Sequence, residues 1–131
     1  MSLQIDHISL SVARLSSAAP FYDAIMPILG AQKVGQSADA LRYGIRNTPA
    51  DYAHSYVTIF EAKNFTISHA NHWCFRVDQR EKVDAFHAQG IDNGGRDAGK
   101  PGLRAEYHEG YYAAFLIDPS GNKIEAVCHS L

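Results

Sequence analysis

Seven histidines are spread along this chain of 131 residues, and two of them open a repeated pattern. His7-Ile8-Ser9-Leu10-Ser11-Val12 and His72-Trp73-Cys74-Phe75-Arg76-Val77 each start on histidine and then alternate large apolar residues with small or polar ones. The copies lie 65 residues apart, and Phe21 and Phe86 keep the same offset. Glu125, in Lys123-Ile124-Glu125-Ala126-Val127-Cys128, has Ile124 and Ala126 on the opposite side of an extended chain. Two imidazoles and one carboxylate suit Fe(II), Mn(II), Zn(II) or Ni(II), and they leave coordination positions for water or substrate. Open positions are what make a metal site catalytic. By residue type alone, a strand histidine is usually a surface or hydrogen-bonded group, and a glutamate after a hairpin is more often a solvated charge. The repeat strengthens His7 and His72 together, but it adds nothing to Glu125. His54, His69, His87, His108 and His129 read as structural or surface residues, with His108 a candidate for a pocket.

Strands must hold these groups. Alternation places His7, Ser9 and Ser11 on one face and Ile8, Leu10 and Val12 on the other; His72, Cys74 and Arg76 likewise oppose Trp73, Phe75 and Val77. The apolar face belongs under a helix, so both histidines face the concave side, and pairing of the repeats is expected to bring them near each other. The first helix is predicted from an N-cap at Ser16, with Leu15, Ala18, Tyr22 and Ile25 facing inward, Pro20 near the first turn and Pro27 at the end. The second starts at Asp78 or Gln79, buries Val83 and Phe86, and is expected to stop at Gly90. Further strands are predicted over 32–35, 41–46 and 55–61, and then a hairpin of 111–117 and 123–128. Asp118-Pro119-Ser120-Gly121-Asn122 forms its turn. Residues 92–103 are glycine-rich, lack the G-K-[ST] ending of a phosphate loop, and read as a flexible loop. Each half is thus β-α-β-β-β, an α+β class, with the repeats at 1–66 and 67–131 of one domain.

The length suits one domain with a sizeable core. A formal net charge of −2 with no basic run argues against nucleic acid as a partner. No signal-type or membrane-length apolar run is present, and Cys74 and Cys128 lack C-x-x-C spacing. A cytoplasmic protein with reduced thiols and no membrane partner is expected. No Ser-His-Asp or nucleophile-elbow signature occurs.

The sequence resembles the vicinal-oxygen-chelate superfamily of glyoxalase I, bleomycin-resistance proteins, extradiol dioxygenases and fosfomycin-resistance enzymes. The resemblance is carried by Asp6-His7-Ile8-Ser9-Leu10-Ser11-Val12 with Phe21-Tyr22, by His72 to Asp78, and by Phe115-Leu116-Ile117-Asp118-Pro119-Ser120-Gly121-Asn122-Lys123-Ile124-Glu125. Pro101 to His108 followed by Tyr111 to Phe115 looks like a glyoxalase-family branch. The resemblance implies two βαβββ modules in an open, metal-centred barrel, a homodimer, and one divalent ion (Zn, Ni, Mn or Fe) on His7, His72 and Glu125, with Glu125 also catalytic. Glyoxalase I has a fourth ligand, a glutamate on the last strand of its first module. Subtracting the repeat offset from Glu125 lands on Phe60, and Glu61 is its neighbour. A one-residue slip reverses a side chain's face, but a bulge or small indel would restore Glu61, which stands as the candidate fourth ligand. With three ligands the site is more like that of the fosfomycin-resistance enzymes and dioxygenases, although the latter usually have about twice this many modules. The implied activity is that of a metal-dependent lyase, isomerase or thiol transferase on a small oxygen-chelating substrate, such as a lactoylglutathione lyase-like reaction. Arg76, Arg104, Tyr107, His108 and Tyr111 are candidates for binding an anionic or thiol-conjugated substrate, although an arginine or tyrosine on a strand is more often a surface or core residue. The alternative is a non-catalytic dimer of the bleomycin-resistance kind, stacking a planar ligand on Trp73, Tyr111 and Phe115.

Overall fold

The structure is a computed structural model describing residues 2–131. Its elements run β1 (His7–Val12), α1 (Leu15–Ile25), β2 (Lys33–Gln36), β3 (Ala40–Gly44), β4 (Tyr56–Glu61), β5 (His72–Val77), α2 (Arg80–Asp92), β6 (Arg96–Leu103), β7 (Tyr112–Ile117) and β8 (Lys123–Cys128). They build two four-stranded sheets of matching order, β1-β4-β3-β2 and β5-β8-β7-β6. In each sheet the first strand pairs in parallel with the last, and the others are antiparallel. This is the expected α+β class with two βαβββ modules.

The alternation holds where it was read. Ile8, Leu10 and Val12 are buried, while His7 and Ser9 are exposed. Helix α1 buries Leu15, Ala18, Phe21, Tyr22 and Ile25, and α2 buries Val83, Phe86 and Gly90. Both helices contribute to one apolar core. Three expectations are corrected. Ser16 does not cap α1: the helix begins at Leu15, whose N–H is taken by the Glu61 carboxylate at 2.9 Å. Gly90 does not stop α2, which continues to Asp92; it lets the helix lie close on β7, because a Cβ there would stand 2.3 Å from Leu116 Cδ1. The glycine-rich stretch is strand β6 rather than a loop, paired irregularly with β7. Backbone pairing alone defines it, so its largely exposed, non-alternating sequence carried no strand signal.

The modules are tied where the β7–β8 turn meets the end of β1. Asn122 Nδ2 donates to Ser11 O at 2.8 Å, and Ala13 N–H donates to Ser120 Oγ at 2.8 Å. Tyr22 OH donates to Asp118 Oδ2 at 2.5 Å, linking α1 to the other module. Burial, followed by the Asp118 charge, pushes the Tyr22 phenol well above its ordinary pKa, so it stays a donor. Tyr22→Phe removes the donor from a buried carboxylate and is expected to cost about 1–3 kcal/mol. Urea unfolding checks this; an unchanged midpoint would show the bond to be dispensable.

Candidate functional site

Strand register sets the face that matters in the second sheet. His72 pairs with Lys123, Cys74 with Glu125, and Phe115 lies across from Glu125, so all five side chains share one face. His72 Nε2 lies 2.9 Å from Glu125 Oε1. The other carboxylate oxygen accepts from Tyr111 OH at 2.6 Å. Glu125 is only 3% exposed, so both oxygens are fixed in a position with little access to water. Although Cys74 as a residue is exposed, burial of its thiol and then the adjacent Glu125 charge push its pKa up to about 12. Tyr111 is raised by burial and by its bond to Glu125, and it remains a phenol donor.

His7 occupies the matching position of the first sheet, but its environment differs. Its side chain is 57% exposed, and Nδ1 lies 2.7 Å from Asp6 Oδ2. Asp6 also accepts from Asn47 Nδ2 at 2.6 Å, and that bond, together with His7, holds its pKa below the ordinary value. An ionised Asp6 accepts a hydrogen bond from Nδ1–H, which leaves the lone pair on Nε2. A carboxylate behind an imidazole is the usual support of a metal-ligating histidine. Asp6 was not singled out from sequence; an acid next to a candidate ligand is the signal that points to it.

Pairing of the repeats within the chain does not bring His7 and His72 near each other. The end of β1 lies against the β7–β8 turn, next to the start of β8 and hence of β5. At the other end, His7 shares a cleft with Cys74 and Arg76 rather than with His72. The two strands therefore run in opposite senses. A six-residue strand spans about 17 Å, so equivalent residues sit at opposite ends. Among the described residues no three His, Cys, Asp or Glu side chains converge so as to hold a metal ion. Glu61 does not join the set either. Register pairs Ser9 with Thr58 as Cys74 pairs with Glu125, so Thr58 occupies the carboxylate position and Glu61 faces the helix it caps.

Arg76 is exposed and borders the cleft with His7, which measures about 790 Å³ and includes Ile5, Met26, Val34, Trp73 and Phe75 in its walls. Arg104, Tyr107, His108 and Tyr111 lie together in the β6–β7 connection, closed by Arg104 N–H donating to Tyr111 O at 2.8 Å. The Tyr111 ring packs on Tyr107 at 4.8 Å and on His108 at 5.3 Å. His108 Nε2 meets His129 Nδ1 at 2.9 Å, so the connection is pinned to the chain beyond β8 by a histidine that sequence reasoning left on the surface. Lys123, also missed, stands with its ammonium 4.9 Å from the centre of the Phe115 ring.

A glyoxalase/bleomycin resistance protein from Albidiferax ferrireducens is similar over 95% of this chain and 98% of its own, at 30% identity and a TM-score of 0.78. The chain belongs to the glyoxalase/bleomycin-resistance family. A fosfomycin resistance protein from Mesorhizobium loti shares the fold across all of this chain and 96% of its own, with 15% identity and a TM-score of 0.67. So does a glyoxalase-related enzyme from Fulvimarina pelagi, over 95% of this chain and 87% of its own, with 14% identity and a TM-score of 0.70. No family model matches the sequence, and no curated protein matches it. Among the described residues, no helix of this family member is long and apolar enough to cross a membrane.

The pKa of Cys74 near 12 keeps it a thiol at neutral pH, and thiols alkylate slowly. Iodoacetamide labelling of Cys74 in the metal-free chain at pH 7.5 is expected to be slow and to accelerate in Glu125→Gln, which removes the charge. Fast labelling of the parent chain, followed by mass spectrometry, would contradict the assigned environment.

Proposed function

We propose that this family member is a dimeric, divalent-metal-dependent enzyme, of lyase, isomerase or thiol-transfer type, acting on a small oxygen-chelating substrate. The observation that carries the reading is the His72 Nε2–Glu125 Oε1 contact of 2.9 Å, with the buried carboxylate braced by Tyr111. As a donor set the residues fit a zinc, nickel, manganese or iron(II) ion: an imidazole and a carboxylate aimed at one point, and a second imidazole with its lone pair on Nε2. His7 is the third donor, and its distance from His72 within the chain makes a second copy its source. Two-fold pairing of identical chains gives two equivalent sites, each with His72 and Glu125 from one protomer and His7 from the other.

A divalent ion held there supplies Lewis-acid polarisation of the substrate oxygens. The chain's own residues do the rest. Glu125 is the carboxylate placed to accept a proton from the substrate, and Tyr111 fixes its orientation while remaining protonated. Asp6 keeps His7 in one tautomer. A second reading, a non-catalytic binder of a planar ligand, draws on the wide cleft with Trp73 and Phe75 in its wall.

Metal analysis separates the two readings, and mixing variants tests the sharing. Near-stoichiometric binding is expected for the parent chain and at least about tenfold weaker binding for His7→Ala, His72→Ala or Glu125→Gln. In a mixed dimer of His7→Ala with His72→Ala, one site combines both lesions and the other is intact. Unfolding and refolding an equal mixture should therefore restore about one quarter of the parent's tight sites. An intrachain site would restore none, and a parent chain that takes no metal would leave the binder.

A further inference from the structure

We propose that Asn47 is a positioning residue for His7: from the β3–β4 loop it holds the Asp6 carboxylate in place, and so fixes which imidazole nitrogen is bare. The inference rests on the metal-site reading above for why a bare Nε2 matters, but the hydrogen-bond relay itself needs no metal.

The two strand-opening histidines are held differently. His72 is met on its own face by Glu125, whereas the equivalent position of the first sheet is Thr58, which offers no carboxylate. His7 is oriented instead by the residue before it, Asp6, where the second repeat has Asn71. Both side chains of that pair are more than half exposed. Holding two exposed neighbours in one geometry costs side-chain freedom, so their contact alone fixes little. Asn47 supplies what is lacking. Its Nδ2 donates to Asp6 Oδ1 at 2.6 Å, while Asp6 Oδ2 lies 2.7 Å from His7 Nδ1. Each carboxylate oxygen thus has its own partner.

Asn47 is in turn fixed by backbone. Nδ2 also donates to His54 O at 2.8 Å, and Oδ1 accepts from His54 N–H at 2.9 Å. The amide thus spends its donors and its oxygen, and a reversed amide would set oxygen against two acceptors. Aspartate has the same shape but nothing to donate to Asp6 or to His54 O. Within the loop, Thr48 and Asp51 exchange backbone bonds of 2.9 and 3.1 Å, and His54 Nε2 lies 2.8 Å from Asp51 Oδ2. Tyr56 N–H donates to Asp6 O at 3.2 Å, which anchors the backbone that carries the acid. The relay therefore runs from a clasped loop through Asn47 and Asp6 to His7 without a gap.

The test reads the tautomer of the neutral His7 ring by long-range proton–nitrogen NMR on the full, metal-free chain at alkaline pH, beside a zinc titration. The parent should carry the ring proton on Nδ1. Asn47→Asp and Asn47→Ala should move it toward Nε2 and weaken zinc binding about tenfold. Asp6→Ala should shift the tautomer likewise, and adding Asn47→Ala to it should change nothing further, because Asn47 acts through the acid. Asp51→Ala loosens the same loop without touching the relay, and should leave the tautomer as in the parent. An unchanged tautomer in both Asn47 variants, or a shift in Asp51→Ala as large as theirs, overturns the proposal. A tautomer that follows Asn47 in a parent chain that takes no zinc would sink the metal reading and leave the relay standing.

Discussion

The buried Asp118 carboxylate is the constraint on which the site depends. It is 1% exposed, and it accepts from the backbone N–H groups of Ser120 and Asn122, from Asn122 Nδ2 and from Tyr22 OH. A carboxylate taken this far from water is tolerated only when its oxygens are fully hydrogen-bonded. Here the bonds also do structural work. Those from Ser120 and Asn122 set the length of the β7–β8 turn, and with it the register in which β8 enters the sheet. That register places Glu125 opposite Cys74 and one alternate position along from Lys123. The bond from Tyr22 fixes the first module on the second. A one-residue change in the turn would carry Glu125 to the helix-covered face.

Internal symmetry explains why the two strand-opening histidines lie apart within one chain. Each module pairs its first strand in parallel with its last, and so brings a strand-opening histidine to the same face as the carboxylate position. The second module keeps a glutamate there, whereas the first has Thr58. The modules meet with β1 and β5 running in opposite senses, which sends their opening histidines to opposite ends. Repetition alone therefore yields a pair of donors, His72 with the buried Glu125, and one isolated, exposed imidazole at His7. The proposed two-fold dimer is an assembly that would use both.

Much of this was legible in the sequence because alternation is a local signal. The strands at 7–12 and 72–77, the inward faces of both helices and the turn at Asp118 follow from residue type and spacing. What was missed is non-local. The 65-residue offset holds from His7 to His72 and from the start of α1 to the start of α2, but register makes it 67 by the last strand, since Tyr56 pairs with His7 and Lys123 with His72. Subtracting a constant offset therefore pointed to Phe60 and its neighbour Glu61, when the equivalent residue is Thr58. Strand β6 was hidden because an exposed edge with Gly99, Pro101 and Gly102 is specified by its partner rather than by its own composition. Asp6, His129 and Lys123 acquire their meaning only from neighbours that folding supplies.

The surroundings of Glu125 bear on why a carboxylate should be buried there at all. Left alone, its charge would be costly. Tyr111, His72 and the Cys74 thiol lie around it, and the charge in turn raises the pKa of both Tyr111 and Cys74. Two neutral donors held in their protonated forms and one imidazole stabilise the anion without adding a fixed positive charge at the carboxylate itself. Had an arginine stood at Tyr111, the carboxylate would already be neutralised, and its affinity for a cation would fall. The arrangement keeps Glu125 oriented, and the Lys123 ammonium stands over the Phe115 ring without an ion pair to it. A carboxylate that is to hold a divalent cation, as proposed, needs to be free of a fixed positive partner, and the register between β5, β7 and β8 places only His72, Cys74 and Phe115 next to it.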